Sequence, residues 1–420
     1  MRAGRAATGA RSAAVVVVAG CLITIAAFGA RAAMGLFLEP MTVFHGWSRA
    51  DFAFALAVQN LLWGVFQPVA GTLADRVGPA RVLAAGLAVY AAGMAAMAVA
   101  PSPAWLVLSA GLVVGLGQAL TGLAVVLAAF ARFVPAADRG WAFGMATAAG
   151  SLGQFLVVPV GQAFIAGFGW FDALWLLGAC LLVVLPLAWF LRAAPGEAAA
   201  TVTNPLPVRR VLACAVHHRS YLLLTAGFFV CGFHVAFIAV HLPAHLSDLG
   251  FRPAVGAWAL AVIGLFNVVG AYAAGVLSGR YSKTALLCWI YLARAGVLAG
   301  FLLLPPSPAG VYVFAALIGL LWLSTVPPTS GLVTVMFGVR HMAMLFGIVF
   351  FGHQLGAFAG VWLGGALFEA HGSYEPVWWL GVGLALVAAV LHRPIRERPA
   401  PDFAVDGPPP SRDRAYSTFN

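Results

Sequence analysis

Arg31 stands in the middle of an apolar run that extends from 13 to 44. A guanidinium at bilayer depth costs at least ~2.5–3.5 kcal/mol on insertion scales, so it has to face a polar cavity or a partner. Arg294, within Trp289-Ile-Tyr-Leu-Ala-Arg-Ala-Gly, is the other charge at comparable depth. No Asp or Glu lies near the middle of any long apolar run. Two intramembrane cations without an intramembrane carboxylate point to a pathway for anions, because a forked guanidinium matches a carboxylate. Each arginine also has a structural reading. Arg31 can bond backbone carbonyls or Glu39, although Glu39 is about 12 Å further along a helix and about 80° around it. Arg294 can be a buried pairing group.

Histidines are the groups that can change charge between about pH 5 and 8 where carboxylates are missing. His234, His241 and His245 fall at i, i+7 and i+11, which is one stripe of a helix. His234 and His353 are the candidate proton carriers, with hydrogen-bonded packing histidines as the alternative. His241 and His245 sit nearer a helix end, where a solvated role is expected. Polar groups at helical spacing include Gln118 with Thr121, Trp322 with Thr325, and Ser151 with Gln154. Gln59, Asn60 and Gln67 form a further set. They either contact substrate or bond between helices, since unpaired amides in lipid are costly.

The elements that carry these groups must span a membrane. Hydrophobic residues make up 62% of the 420, charged residues only 9%, and the mean hydropathy is +0.97. That composition excludes a soluble globular protein and specifies an all-α polytopic membrane protein. Twelve apolar runs are separated by Gly, Pro and Arg: 13–44, 50–73, 80–100, 104–131, 140–166 and 171–192, then 220–247, 253–278, 284–304, 309–337, 342–368 and 374–392. They are numbered here as spans one to twelve. The formal charge of +10 does not indicate nucleic acid. Basic residues other than Arg31, Arg49, Arg252 and Arg294 fall in the N-terminus, alternate loops and the C-terminus. That is the positive-inside pattern and places both termini in the cytoplasm of an inner or plasma membrane protein. Cys21, Cys180, Cys214, Cys231 and Cys288 show neither pairing nor metal spacing. Val18-Ala-Gly-Cys21 looks like a lipoprotein cleavage box, but apolar sequence continues for about twenty residues beyond it, as in a first spanning helix.

Residues 1–192 form a first six-helix bundle and 193–219 a cytoplasmic linker. A second bundle occupies 220–396, and 397–420 reads as a disordered cytoplasmic tail. The bundles are repeats. At an offset of 203, Gly29 answers to Gly232, Pro40 to Pro243, Arg49 to Arg252, Gly144 to Gly347, Gly153 to Gly356 and Gly161 to Gly364. From the second to the fourth span the offset is 204, pairing Gly71 with Gly275, Gly115 with Gly319 and Thr121 with Thr325. Arg31 then answers to His234, and a central pathway is expected at the interface of the repeats. Pro327-Pro328 should break span ten and free backbone carbonyls toward that pathway.

Between spans two and three stands Gly71-Thr-Leu-Ala-Asp-Arg-Val-Gly-Pro-Ala-Arg-Val-Leu83. It resembles the signature loop of the major facilitator superfamily, with Gly71, Asp75, Arg76, Gly78 and Arg81 as a conformational motif. In the second copy, Gly275-Val-Leu-Ser-Gly-Arg-Tyr-Ser-Lys, Gly279 replaces the aspartate. The segment Arg31-Ala-Ala-Met-Gly-Leu-Phe-Leu-Glu-Pro and the following Trp47-Ser-Arg look most like bacterial members of the monocarboxylate and oxalate/formate group. The monocarboxylate pattern has an aspartate and, four residues on, an arginine in span eight; here those positions are Asn267 and Ala271.

The resemblance implies alternating access about a midplane site, with spans one, four, seven and ten lining the cavity and three, six, nine and twelve in support. Arg31, Gln118, Thr121, Trp322 and Thr325, on those lining spans, are then substrate-binding candidates. Gln154 of span five joins them, as does Arg294 of support span nine, for which structural pairing is an equal reading. No nucleotide loop, metal cluster or nucleophile elbow is present in the sequence, so neither an enzyme nor a cofactor or metal is expected. The leading expectation is a monomeric secondary transporter of a small organic anion, by proton symport or anion exchange, with the bilayer and protons as its other partners. Efflux of lipophilic compounds is the second reading, and a non-transporting sensor on a transporter fold the third.

Overall fold

The computed structural model of the chain describes residues 13–134, 139–192 and 208–403. Among the described residues, eleven helical stretches are long and apolar enough to cross a membrane. One of them, Trp141–Leu191, has 51 residues, far more than the ~20 that one crossing needs. Gly169, at φ 82 and ψ 166, turns the chain inside it, a conformation open to glycine at no steric cost. The stretch is therefore spans five and six, and the crossings among the described residues are twelve. The others are Ala13–His45, Arg49–Ala74, Pro79–Ala98 and Pro103–Phe130 in the first half. In the second half they are Arg219–Asp248, Pro253–Arg280, Lys283–Leu303, Pro308–Phe337, Met344–His371 and Glu375–His392. Twelve crossings return the chain to its starting side, so Ala13 and His392 share one end of the bundle, called here the terminal end.

Repeat-paired glycines let equivalent helices meet closely. In the first half, a Cβ at Gly29 would lie 2.6 Å from the Gly153 carbonyl oxygen, and one at Gly153 would collide with the Ile25 carbonyl. In the second half, Gly232 faces the His353 carbonyl and Gly356 the Phe229 carbonyl, both with no room for a methyl group. Spans one and five, and spans seven and eleven, thus pack backbone to backbone, as small residues permit in lipid.

Spans four and ten are both interrupted at repeat-equivalent positions. Span four passes through a π-helical segment, Val107–Val113, ends its middle helix at Leu120 and resumes at Leu123. Span ten runs Pro308–Leu321, turns, and resumes at Val326–Phe337. Pro327 and Pro328 occupy the first turn of that second piece, where a missing N–H is harmless. The freed carbonyls are those of Leu321 and Trp322. They turn to Arg294 of span nine, not to the pathway.

The halves meet where span two crosses span eleven and span five crosses span eight. Along the first crossing, contacts run from Arg49 and Ala53 against Gly365, through Phe54 on Phe358, to Trp63 on Phe350. Along the second, Gln154 Nε2 donates to the Leu260 carbonyl at 2.8 Å and Asn267 Nδ2 to Ser151 Oγ at 2.8 Å. Toward the terminal end, Gly71 and Gly347, and Gly144 and Gly275, have no atom within 4 Å of a Cβ position. At the opposite end, Gly35 of span one lies against Ala239 and Val240 of span seven. The halves are closed at the far end and diverge toward the terminal end.

The chain beyond span twelve departs from the disordered tail expected from residue 397. Arg396 N–H donates to Ser220 Oγ at 3.1 Å, and Ala400 N–H to the Met336 carbonyl at 2.9 Å. Glu397 accepts from Thr284 N–H at 2.9 Å, and Phe403 lies edge-on to Phe337. Composition missed this strap because its apolar contacts, Ile395, Ala400 and Phe403, are isolated among charges and prolines. Residues 193–207 of the expected linker and 404–420 of the expected tail lie outside the described residues.

Candidate functional site

Arg31 closes the first helical piece of span one, Ala13–Ala32, just before a short 3-10 turn at Met34–Phe37. Its Nη2 donates to Asn60 Oδ1 of span two at 3.0 Å, and its guanidinium lies over the Trp63 ring, 4.6 Å from the centroid. Asn60 and Trp63 are three residues apart and so share a helical face. Trp63 is braced edge-on by Phe28 and Phe350 and donates its indole N–H to Gln67 Oε1 at 2.8 Å. Arg31 is half-buried, and no carboxylate pairs with it among the described residues. With Arg31 partly exposed and one donor engaged by Asn60, the arrangement can take a planar anion beside an aromatic wall.

Asn60 also joins this cation to the second half. Its backbone carbonyl accepts from Gln354 Nε2 of span eleven at 3.1 Å, and Gln354 Oε1 meets His353 Nδ1 at 3.0 Å. His353 stacks on Phe350 with ring planes 7° apart. One continuous set of contacts therefore runs Arg31, Asn60, Gln354, His353.

Arg294 is placed differently. It is 1% exposed, and Nε and Nη2 bond the carbonyls of Leu321 and Trp322, with Cys231 Sγ 3.6 Å away. The guanidinium thus caps the open end of the first helical piece of span ten. Its Nη1 has no hydrogen-bond partner among the described residues. His234 is 2% exposed and its Nε2 donates to the Gly381 carbonyl of span twelve at 2.8 Å. The repeat-related Arg31 and His234 therefore face different surroundings, span two with accessible space and span twelve within the second bundle. His241 is likewise held, between the Val361 carbonyl and the Tyr374 hydroxyl, and is fully buried where a solvated role was expected. His245 is packed among Phe301, Tyr374 and Trp378.

The remaining candidates are engaged within the protein in this conformation. Gln118 Nε2 donates to Gln59 Oε1 and to the Tyr90 hydroxyl, both at 3.2 Å. Thr121 returns its hydroxyl to the Gly117 carbonyl, and Thr325 meets Cys231 Sγ at 3.2 Å. Trp322 is 4% exposed and Gln154 binds Leu260 across the halves. In the signature loop, Gly78 adopts φ 92 between spans two and three, and Arg76 and Arg81 are exposed; the Asp75 side chain lies outside the described residues. Trp63 was not among the sequence candidates. Its spacing from Asn60 was readable, but nothing in the sequence brings span two against Arg31.

A family model of the Major Facilitator Superfamily matches residues 20–360. The chain belongs to the Major Facilitator Superfamily. Its fold and relatives are those of multi-pass membrane transporters, not enzymes. It is 27% identical over 308 residues to monocarboxylate transporter 13 of Rattus norvegicus, covering 73% of this chain and 71% of the relative. To the MFS-type transporter YcxA of Bacillus subtilis it is 26% identical over 347 residues, covering 80% and 84%. Among solved structures, a bacterial homologue of the human lysosomal transporter Spinster, inward-facing and unoccupied, superimposes with a TM-score of 0.72 at 15% identity. That match covers 90% of this chain and 95% of the other. The nucleoside transporter NupG superimposes with a TM-score of 0.74 at 14% identity, covering 90% and 98%. These two likenesses concern the fold.

Proposed function

We propose that this membrane transporter is a secondary transporter of a small organic anion, most consistent with a monocarboxylate. The observation that supports it is Arg31: a half-buried guanidinium at bilayer depth, stacked on Trp63, bonded to a neutral amide and paired with no carboxylate among the described residues. A cation so placed recruits a counter-charge from its ligand. The names of the relatives, monocarboxylate transporters among them, agree with that chemistry.

The termini are assigned to the cytoplasm by the positive-inside pattern, so the conformation described is open to the cytoplasm. The Arg31 site exchanges with that side in this conformation and with the other side when the far-end contacts part. For proton coupling, His353 is better placed than His234. It touches the Arg31–Asn60 contact through Gln354, whereas His234 is committed to Gly381 within the second bundle.

Uptake of a panel of radiolabelled carboxylates into proteoliposomes, with and without an imposed pH gradient, tests this. Saturable uptake of at least one member, lost in Arg31→Ala, is expected. Undiminished uptake by that variant rules Arg31 out as the anchor.

A further inference from the structure

The break in span ten leaves the Leu323 N–H outside the helical ladder. Three side chains hold the break: Arg294 on the carbonyls of Leu321 and Trp322, Cys231 on Thr325, and Asn267. Asn267 Oδ1 accepts from Leu323 N–H at 3.0 Å. Of the three, Asn267 is the one that also reaches the other half: its Nδ2 donates to Ser151 Oγ of span five at 2.8 Å. It is 2% exposed, and one planar amide satisfies both partners, donor toward the first half and acceptor toward the break.

The helices around it leave no slack. A Cβ at Gly264 of span eight would lie 2.9 Å from the Ser151 carbonyl oxygen, and one at Gly319 of span ten 2.8 Å from that of Ile263. Gly270 lies directly on the Leu320 carbonyl. Span eight is thus seated on span five on one side and on span ten on the other. The repeat gives the place a counterpart. At the offsets of 204 and 203, Asn267 answers to Trp63 and Ser151 to Gln354. Trp63 and Gln354 are the residues that hold the Arg31 site at the crossing of spans two and eleven. One crossing carries the anion anchor, and its equivalent carries a tie to the bend of a lining helix.

We propose that Asn267 is a positioning residue for transport, joining the contact between the halves to the shape of span ten. While span five stays against span eight, Ser151 orients the amide and the Leu323 N–H is held away from the helix. When the halves move apart there, Ser151 leaves, the amide turns free and the Leu323 N–H loses its fixed acceptor, which lets the first piece of span ten change its bend against the second. A carboxylate at 267 would accept from both partners and would bring a charge to the crossing; the amide keeps the tie neutral.

The test is hydrogen exchange followed by mass spectrometry on the full-length protein in nanodiscs, without substrate, so its outcome is separate from the anion assignment. Ser151→Ala lies in the first half, yet exchange over residues 319–330 of the second half is expected to rise about fivefold, the effect of one lost hydrogen bond. Ser151→Thr, which keeps the hydroxyl, is expected to restore it to within about twofold of wild type. Asn267→Leu should raise exchange over the same residues, and adding Ser151→Ala to it should change nothing further. Unchanged exchange at 319–330 in Ser151→Ala overturns the proposal. So does a rise spread equally over Glu375–His392, or a Thr variant no better than Ala.

Discussion

Arg49 grips Asp248 with both guanidinium ends, Nη1 to Oδ2 at 2.5 Å and Nη2 to Oδ1 at 2.7 Å, across the far-end seam between the two halves. Arg49 begins span two and Asp248 ends span seven. The same arginine donates its N–H to Glu369 at 2.8 Å and lies over the Phe368 ring. The side chains are 16% and 34% exposed, so the pair is partly screened. We expect Arg49→Ala or Asp248→Asn to weaken far-end closure by roughly 1 kcal/mol, about a fivefold change in the open fraction. A cysteine at Ala53, now packed under Gly365, reports it through faster labelling by an impermeant maleimide. The Arg49→Asp/Asp248→Arg exchange should recover most of the loss.

Arg31→Lys keeps charge but loses the fork and the flat stack on Trp63. Carboxylate uptake with KM raised at least about tenfold is expected, and Arg31→Ala should abolish it. Trp63→Leu removes the aromatic wall without the charge, so a smaller rise in KM, about threefold to fivefold, should appear. The measurement is concentration-dependent uptake in proteoliposomes.

His234→Gln can still donate to the Gly381 carbonyl and is expected to retain accumulation driven by a pH gradient. His353→Gln is expected to lose gradient-driven accumulation while substrate exchange without a gradient continues. Equal behaviour of the two variants would contradict the assignment of His353.

Glu397 ties the strap after span twelve to the start of span nine. Partial burial alone would raise its pKa, but hydrogen bonds from Ser282 Oγ and from the Thr284 N–H and hydroxyl outweigh that and hold it below the usual carboxylate range. A depressed folded pKa means that the stabilisation is complete above the unfolded value of about 4.3 and is lost as pH falls through the folded one. Glu397→Gln should cost about 1 kcal/mol at neutral pH, scaled to a half-exposed cap, and the difference from wild type should shrink below pH 4. Thermal unfolding in detergent at pH 7 and pH 3.5 measures both.

Gly356→Ala and Gly347→Ala lie on the same span with opposite surroundings. The first drives a methyl into the Phe229 carbonyl and is expected to lose about 1–3 kcal/mol, seen as poor recovery of folded protein. The second meets open space here and should leave folding unchanged.

The sequence by itself determined the membrane class, the twelve crossings and the repeat, because these depend on composition, length and glycine order along the chain. It also singled out Arg31, since a charge among lipid-length apolar residues is conspicuous without any fold. It foresaw a break in span ten from two prolines. Which groups occupy that break was decided only by packing: Arg294 and Asn267 come from spans nine and eight. The same limit applied to Arg31 and His234. Helical periodicity places a side chain on a face, and the repeat pairs the two faces, but burial depends on what neighbouring helices put there. In the first half span two brings an amide and an indole and leaves room; in the second, span twelve brings a carbonyl and leaves none. Glu397 needed the fold most, because it lies more than a hundred residues from Ser282 and Thr284 in sequence and reaches the start of span nine only when the last segment folds back.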